Sequence, residues 1–243
     1  MFLRWESYDE PDSPQTLDYY FWVLRDADRA IVVDTGFNPA VGARRGRSLL
    51  VRPERALTAL GLSTHDIETV VITHLHYDHI GNLDQFRAAT VMAPSRDIDF
   101  WTSPLALRPQ FAEHIETPEV NALVELETQG RLVRYDGEHE LLPGVSALPL
   151  PGHSPGQHGL LVQTNERPVL LTSDAVHFYE ELERDRPFAI QVDLAATYTS
   201  YDRVRELAAT HDAVLVPGHD PSVIDRFPRY PDASLSGLAV RLV

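Results

Sequence analysis

Residues 74 to 79 read His-Leu-His-Tyr-Asp-His and follow directly on the apolar run Val70-Val71-Ile72. That run has the length and β-branched content of a buried strand. Any fold for this chain must therefore bring three imidazoles and a carboxylate off the end of one strand together. A loop leaving a strand can turn several side chains toward one point, and imidazole with carboxylate suits zinc and similar divalent ions. Without a metal, His74, His76, Asp78 and His79 would be a costly set of polar groups to bury.

Three further residues stand where apolar runs end. His153 follows Leu148-Pro149-Leu150-Pro151-Gly152, Asp174 follows Val169-Leu170-Leu171-Thr172-Ser173, and His219 follows Val214-Leu215-Val216-Pro217-Gly218. Functional loops gather at such strand ends in α/β proteins, and the glycines before His153 and His219 permit close backbone approach. Taken singly, each residue has a plainer reading: a surface or hydrogen-bonded histidine, or an aspartate capping a turn. Together with the cluster they make seven candidate ligands, too many for one zinc, which takes about four. Seven suits two ions that share one carboxylate, about 3.5–4 Å apart. His65, His114, His139, His158 and His211 have no comparable setting and read as ordinary polar residues.

Composition narrows the chemistry. There is no cysteine in the 243 residues, so disulfides and thiolate metal sites are excluded and His, Asp and Glu must supply any ligands. Acidic residues exceed basic ones by 36 − 21 = 15. Such a chain is a poor phosphate-backbone binder, since that binding rests on Lys and Arg, and no nucleic-acid partner is expected. The N-terminus shows no leader pattern, and no stretch approaches the roughly 18 apolar residues of a membrane span, so a cytoplasmic protein without membrane association is expected.

The remaining pattern is α/β. Tyr19–Leu24 and Ala30–Val33 read as a hairpin around the charged turn at 25–29, with Asp34-Thr35-Gly36 at its end. Residues 38–52, rich in Gly and Arg, read as a surface loop, and Pro53–Leu60 as a short helix. Residues 69–73 read as a strand, and a helix is expected to begin between Gly81 and Phe86. Few strand signals occur over 95–128, which reads as helices and loops and a candidate cap over a site. Further strands are expected at 145–150, 159–162, 169–172 and 213–216, with a helix at 201–210. No repeat or linker is present, so one domain spanning 1–243 is expected. The β texture lies in two blocks around the helical middle, which points to two sheets with outer helices.

On these residues the chain resembles the metallo-β-lactamase superfamily. The stretches that carry the likeness are Thr73-His74-Leu75-His76-Tyr77-Asp78-His79, Pro151-Gly152-His153-Ser154-Pro155-Gly156, Leu171-Thr172-Ser173-Asp174-Ala175 and His219, with Asp34-Thr35-Gly36 as the early strand-end motif and Leu142-Pro143-Gly144-Val145 in support. Within the superfamily it looks most like the N-acyl-homoserine lactonases, over about residues 19–230. The resemblance implies an αββα sandwich with two divalent metal ions, zinc by default, at one edge of the sheets. It implies that His74, His76 and His153 hold one ion, that Asp78, His79 and His219 hold the other, and that Asp174 bridges them. A small-molecule lactone would be the substrate, as in quorum quenching, and a homodimer is an open arrangement.

Two departures stand out. Such lactonases often carry Tyr three residues after the bridging Asp; here that position is His177, followed by Phe178 and Tyr179. The Pro-Gly-His that follows the third metal motif reads Pro155-Gly156-Gln157-His158, displaced by one residue. In the implied hydrolysis, Asp78 is a ligand and a proton shuttle, and the donor to the oxyanion is His177, Tyr179 or absent. Asp34 either orients a ligand from behind or caps the turn at Thr35-Gly36. Tyr77, Phe21, Trp22, Phe37 and Trp101 either line an apolar pocket or pack in the core. The alternatives are another lactone, such as a pyridine-fused ring of the 4-pyridoxolactonase kind, a glyoxalase II-type thioesterase, and a non-catalytic metal-binding protein. The thioesterase is expected to carry a basic C-terminal helical region, yet only Arg226, Arg229 and Arg241 follow His219 as basic residues.

Overall fold

The computed structural model describes residues 1–3, 15–235 and 237–243, so the stretch read above for a leader lies partly outside it. Residues cluster into two compact units, Tyr19–Asp136 with Phe227–Arg241, and Met1–Asp18 with Gly137–Arg226 and Leu242–Val243.

In the unit carrying residues 19–136, one sheet runs in the spatial order β1 (Trp22–Arg25), β2 (Ala30–Val33), β3 (Thr69–Val71), β4 (Thr90–Pro94), β5 (Leu132–Tyr135). β1 and β2 form the expected antiparallel hairpin, its turn held by Asp26 Oδ1, which accepts from the backbone N–H of Asp28 and Arg29. The other neighbours are parallel and need crossovers. Helices α1 (Pro39–Arg44), α2 (Pro53–Ala59), α3 (Tyr77–Ile80), α4 (Ser95–Trp101), α5 (Pro109–Ala112) and α6 (Thr117–Thr128) lie along them. Residues 95–128 are helical as expected. Ile98, Trp101, Ile115, Val120 and Leu123 from that region share one buried cluster with Val32, Val70, Ile72 and Val91 of the sheet.

Three expectations are corrected here, and one strand carries no signal in the sequence. Residues 38–52 are not all loop: Asn38 Oδ1 caps α1 by accepting from Ala40 N, Pro39 opens it, and Val41 and Gly42 are buried. The turn of helix after the His cluster starts at Tyr77, while Leu83–Gln85 is a short 3-10 turn. β4 went unread because its Thr-Val-Met-Ala-Pro is short and Pro-terminated. β5, although it follows the helical middle, pairs with β4 in the first sheet rather than opening the second.

In the other unit the sheet order is β10-β9-β8-β7-β6, from β6 (His139–Leu142), β7 (Val145–Pro149), β8 (His158–Val162), β9 (Val169–Ser173) and β10 (Val214–Pro217). Only β9 and β10 are parallel. Between them run α7 (Tyr179–Arg184) and α8 (Leu194–Thr210), and α9 (Val223–Arg226) follows β10. α8 begins earlier than its apolar spacing suggests because Asp193 Oδ1 caps it at Ala196 N. Its buried Tyr201, Val204 and Leu207 form one stripe against Leu148, Leu150, Leu161 and Leu170. Among the described residues no helix is long and apolar enough to cross a membrane.

Candidate metal centre

The His-Leu-His-Tyr-Asp-His segment leaves β3 and closes into α3, and all four of its candidate ligands are buried. Asp34, at the end of β2, stands behind it. The residue adopts a positive φ of 58°, a conformation Asp tolerates better than most side chains. Its Oδ1 accepts from Thr73 N at 2.9 Å, and its Oδ2 accepts from Thr73 Oγ1 at 2.8 Å. The same Oδ2 lies 2.8 Å from His79 Nδ1. Of the two roles open to Asp34, the geometry therefore gives it the orienting one: with Nδ1–H on the carboxylate, His79 Nε2 is free of the proton and can ligate.

A second carboxylate supports the segment. Asp97, 0% exposed, accepts from Leu75 N at 2.7 Å and from Trp101 Nε1 at 3.2 Å. Nothing in the sequence marked Asp97; it lies one turn before Trp101 on α4, and only the fold brings it under the loop. The imidazoles are packed ring to ring, His74 to His79 at 4.0 Å and His74 to His76 at 4.5 Å between centroids. Gly81 lets the segment close. A Cβ there would lie 2.3 Å from Asn38 N, where Gly81 N donates to Gly36 O at 2.9 Å.

The other three candidate ligands also sit past strand ends, after β7, β9 and β10. His153 and His219 are each backed by a backbone carbonyl, Nδ1 facing Ile190 O at 2.9 Å and Asp18 O at 2.6 Å respectively. Their Nε2 atoms face the same oxygen, Asp174 Oδ2, at 3.5 and 2.9 Å. Two glycines make room: a Cβ at Gly218 would come within 2.6 Å of Asp174 Oδ1, and one at Gly152 within 2.3 Å of Thr197 Oγ1. Ser173, immediately before Asp174, is held at φ 47°, a costly conformation for Ser that aims the carboxylate.

His177 joins this half. Its Nε2 is 3.4 Å from Asp174 Oδ2, its ring stacks on Phe188 at 3.9 Å, and it meets His153 edge-on at 4.6 Å. Burial pulls its pKa down, but the carboxylates of Asp174 and Glu181 outweigh burial and raise it to about 9. Tyr179 points elsewhere: its hydroxyl donates to Leu215 O on β10 at 3.1 Å, and Arg226 covers its ring. Its phenol is pushed up to about 12, chiefly by burial.

The aromatic candidates divide. Phe21 and Trp101 pack into the core, although Trp101 also lies edge-on to His76 at 5.1 Å. Phe37 and Tyr77 pack with Val41, Tyr19 and Leu49, and Trp22 lies against Tyr20. His114, read as ordinary, lies 5.5 Å from His76 between ring centroids, and its carbonyl accepts from Tyr77 N. His158 is buried with Nδ1 on Gly156 O at 2.7 Å.

Among the described residues, the unit carrying residues 19–136 offers His74, His76, Asp78 and His79 as buried candidate ligands, and the other unit offers His153, Asp174 and His219. The donor set is all imidazole nitrogen and carboxylate oxygen, and His79, His153 and His219 each have Nδ1 committed to an oxygen behind the ring. Both features fit divalent ions.

Residues 17–219 match the family described as the Metallo-beta-lactamase superfamily. The chain is 25% identical over 225 residues to an N-acyl homoserine lactonase of Bacillus cereus, covering 86% of this chain and 84% of that relative. A solved N-acyl homoserine lactone hydrolase, with the product N-hexanoyl-L-homoserine at its catalytic metal center, is similar in fold with a TM-score of 0.73 at 22% identity, over 92% of this chain and 89% of the other. The structure of AidC, a dizinc quorum-quenching lactonase, gives a TM-score of 0.65 at 20% identity over 82% and 71%. The fold class expected from the sequence, an αββα sandwich of two mixed sheets with flanking helices, is the one these likenesses show.

Proposed function

The chain belongs to the metallo-β-lactamase superfamily, and from that membership we propose that it is a dinuclear metal-dependent hydrolase that opens the ring of a lactone. Its substrate class is the N-acyl-homoserine lactones, whose hydrolysis would quench quorum signals, and its metal is zinc; the lactonases similar to it support both choices. The observation that carries the reading is the buried set of His and Asp side chains at strand ends, with His79, His153 and His219 each committed through Nδ1 so that Nε2 is left to ligate. In this reading His74, His76 and His153 hold one ion, Asp78, His79 and His219 hold the other, and Asp174 serves each. Ions held there supply Lewis acidity, which acidifies water toward neutral pH and polarises an ester carbonyl.

The chain's own groups do the rest. Asp34 and the carbonyls of Ile190 and Asp18 keep the proton on Nδ1 of His79, His153 and His219, so that Nε2 ligates. In this reading Asp78 would pass the proton of the attacking water to the ring oxygen as it leaves. His177, whose Nε2 faces Asp174, donates a hydrogen bond to the carbonyl oxygen as charge develops on it. Tyr179, with its hydroxyl on Leu215 O, takes no part. The presence of His177 where N-acyl-homoserine lactonases often carry Tyr supports a second reading, a different ring such as a pyridine-fused lactone.

The test is acid release across a panel of N-acyl-homoserine lactones, aromatic lactones and thioesters, run with metal analysis. Lactone opening with two ions per chain is expected. Two bound ions with no turnover of any ester would overturn the hydrolase reading, and thioester turnover alone would move it to that class. His76→Ala should lose at least one ion and nearly all hydrolysis with its circular dichroism unchanged.

A further inference from the structure

Glu181 is the third residue of α7 and is 0% exposed. Its Oε1 accepts from Phe178 N at 2.9 Å, as a helix-capping Glu does, but it also accepts from His177 N at 2.6 Å. Its Oε2 accepts from Phe188 N at 3.1 Å and from the Tyr201 hydroxyl of α8. A cap returns about 1 kcal/mol, whereas burying a carboxylate costs several kcal/mol even after relaxation. Capping therefore does not account for a Glu sunk this deep and surrounded by four donors.

The missing element is the ring of His177. Its Nδ1 stands 3.3 Å from Glu181 Oε1, and its Nε2 stands 3.4 Å from Asp174 Oδ2. Both nitrogens are buried, and neither contact reaches full hydrogen-bond geometry. Phe188, stacked on the ring, is itself tied through its backbone N–H to the same carboxylate. Glu181 thus braces the His177 ring through its own backbone N–H and the aromatic face beneath it, with Oε1 standing behind Nδ1 as Asp34 Oδ2 stands behind His79.

We propose that Glu181 is the positioning residue of His177, fixing the ring so that Nδ1 faces Glu181 and the Nε2 edge faces Asp174 and the ester. The inference rests on the lactonase reading only for what Nε2 does there. The fixed ring orientation stands independently of it.

Crystal structures of the metal-loaded protein read the ring directly. In wild type Nδ1 of His177 should face Glu181. Glu181→Met, which keeps the volume and removes every acceptor, should displace the ring and lower kcat about 10-fold with KM unchanged, the size typical of losing an orienting group. Glu181→Gln, which keeps one acceptor oxygen, should hold the ring and retain most of the activity. Tyr201→Phe removes only a donor on the far oxygen and should lower Tm without moving the ring. A wild-type ring turned away from Glu181 overturns the proposal, as does a Glu181→Met ring and kcat like wild type's, or a Tyr201→Phe ring displaced as far as that of Glu181→Met. If Glu181→Met does not fold, the wild-type structure and Glu181→Gln still decide. A wild-type protein that opens no lactone refutes the lactonase reading, while the structures judge the proposal separately.

Discussion

Asp34→Asn isolates one charge behind the metal loop. Asn tolerates the positive φ of 58° as readily as Asp and has nearly the same shape, so backbone strain and cavity formation are not in play. The amide must put its oxygen on one side and its NH2 on the other. Facing the NH2 toward Thr73 N would set two donors together, one of them a backbone group that cannot turn away. The oxygen therefore takes Thr73 N, and the NH2 faces Thr73 Oγ1 and His79 Nδ1. Thr73 can rotate its hydroxyl to accept. His79 can accept only by moving its proton to Nε2, which is the atom the second ion needs. Restoring the ligating tautomer forfeits a hydrogen bond to a charged group, worth about 1.5–3 kcal/mol, or about 10- to 100-fold in affinity.

The expected result is selective. Competition titration against a chromophoric chelator should show one ion weakened by about 10- to 100-fold and the other held as in wild type. The weakened ion should be the one assigned to Asp78, His79, Asp174 and His219, which His219→Ala identifies independently. Tm of the metal-loaded protein should fall by a few degrees, about 2–4 °C per kcal/mol for a chain of this size. Wild-type affinity at both sites would refute the tautomer argument. Equal weakening of both ions would show that Asp34 acts on the fold of the loop and not on His79.

Three other perturbations discriminate further. Gly81→Ala sets a Cβ 2.3 Å from Asn38 N and 2.7 Å from Phe37 backbone, with no flexible side chain to give way; a loss of more than about 3 kcal/mol in urea unfolding is expected. Burial raises the Glu119 carboxyl from 4.5 to about 7, so the folded chain holds that proton more tightly than the unfolded one and stability falls as pH rises through that window. Glu119→Gln should accordingly raise Tm over wild type at pH 8 and not at pH 4, and a gain of the same size at both would refute the assignment. Tyr179→Phe should leave kcat/KM unchanged and cost about 1 kcal/mol of stability for the bond to Leu215 O, while His177→Phe should lower kcat about 100-fold if it donates to the oxyanion.

What could be read in the sequence was whatever is local along the chain. The His74–His79 segment is contiguous, and His153, Asp174 and His219 are each announced by an apolar strand that ends just before them. Strands β2, β7, β8, β9 and β10 were legible for the same reason, each containing aliphatic residues in close succession. β4 was not, since Thr90–Pro94 has a Met, an Ala and a Pro and borrows its identity from pairing with β3 and β5. Asp97 and Glu181 were illegible for a deeper reason. A carboxylate with an aliphatic residue on one side and charge on the other looks solvent-exposed, and its burial is decided by donors such as Trp101 Nε1, Phe188 N and the Tyr201 hydroxyl that the fold supplies from elsewhere.

The oxygens behind the imidazoles differ in kind, and that difference predicts where the site can be tuned. His153 and His219 rest on backbone carbonyls of Ile190 and Asp18, which no side-chain substitution can remove. His79 rests on the charged carboxylate of Asp34, and His177 stands against the carboxylate of Glu181. A carboxylate makes the imidazole it backs a stronger donor than a neutral carbonyl does, because it stabilises positive charge on the ring. Single substitutions behind the rings should therefore change metal affinity through Asp34, and the behaviour of His177 through Glu181. Substitutions at Ile190 and Asp18 that keep the backbone in place should leave metal affinity near wild type. If Ile190→Val or Asp18→Asn weakened an ion as strongly as Asp34→Asn, the carbonyls would not be the groups that orient His153 and His219.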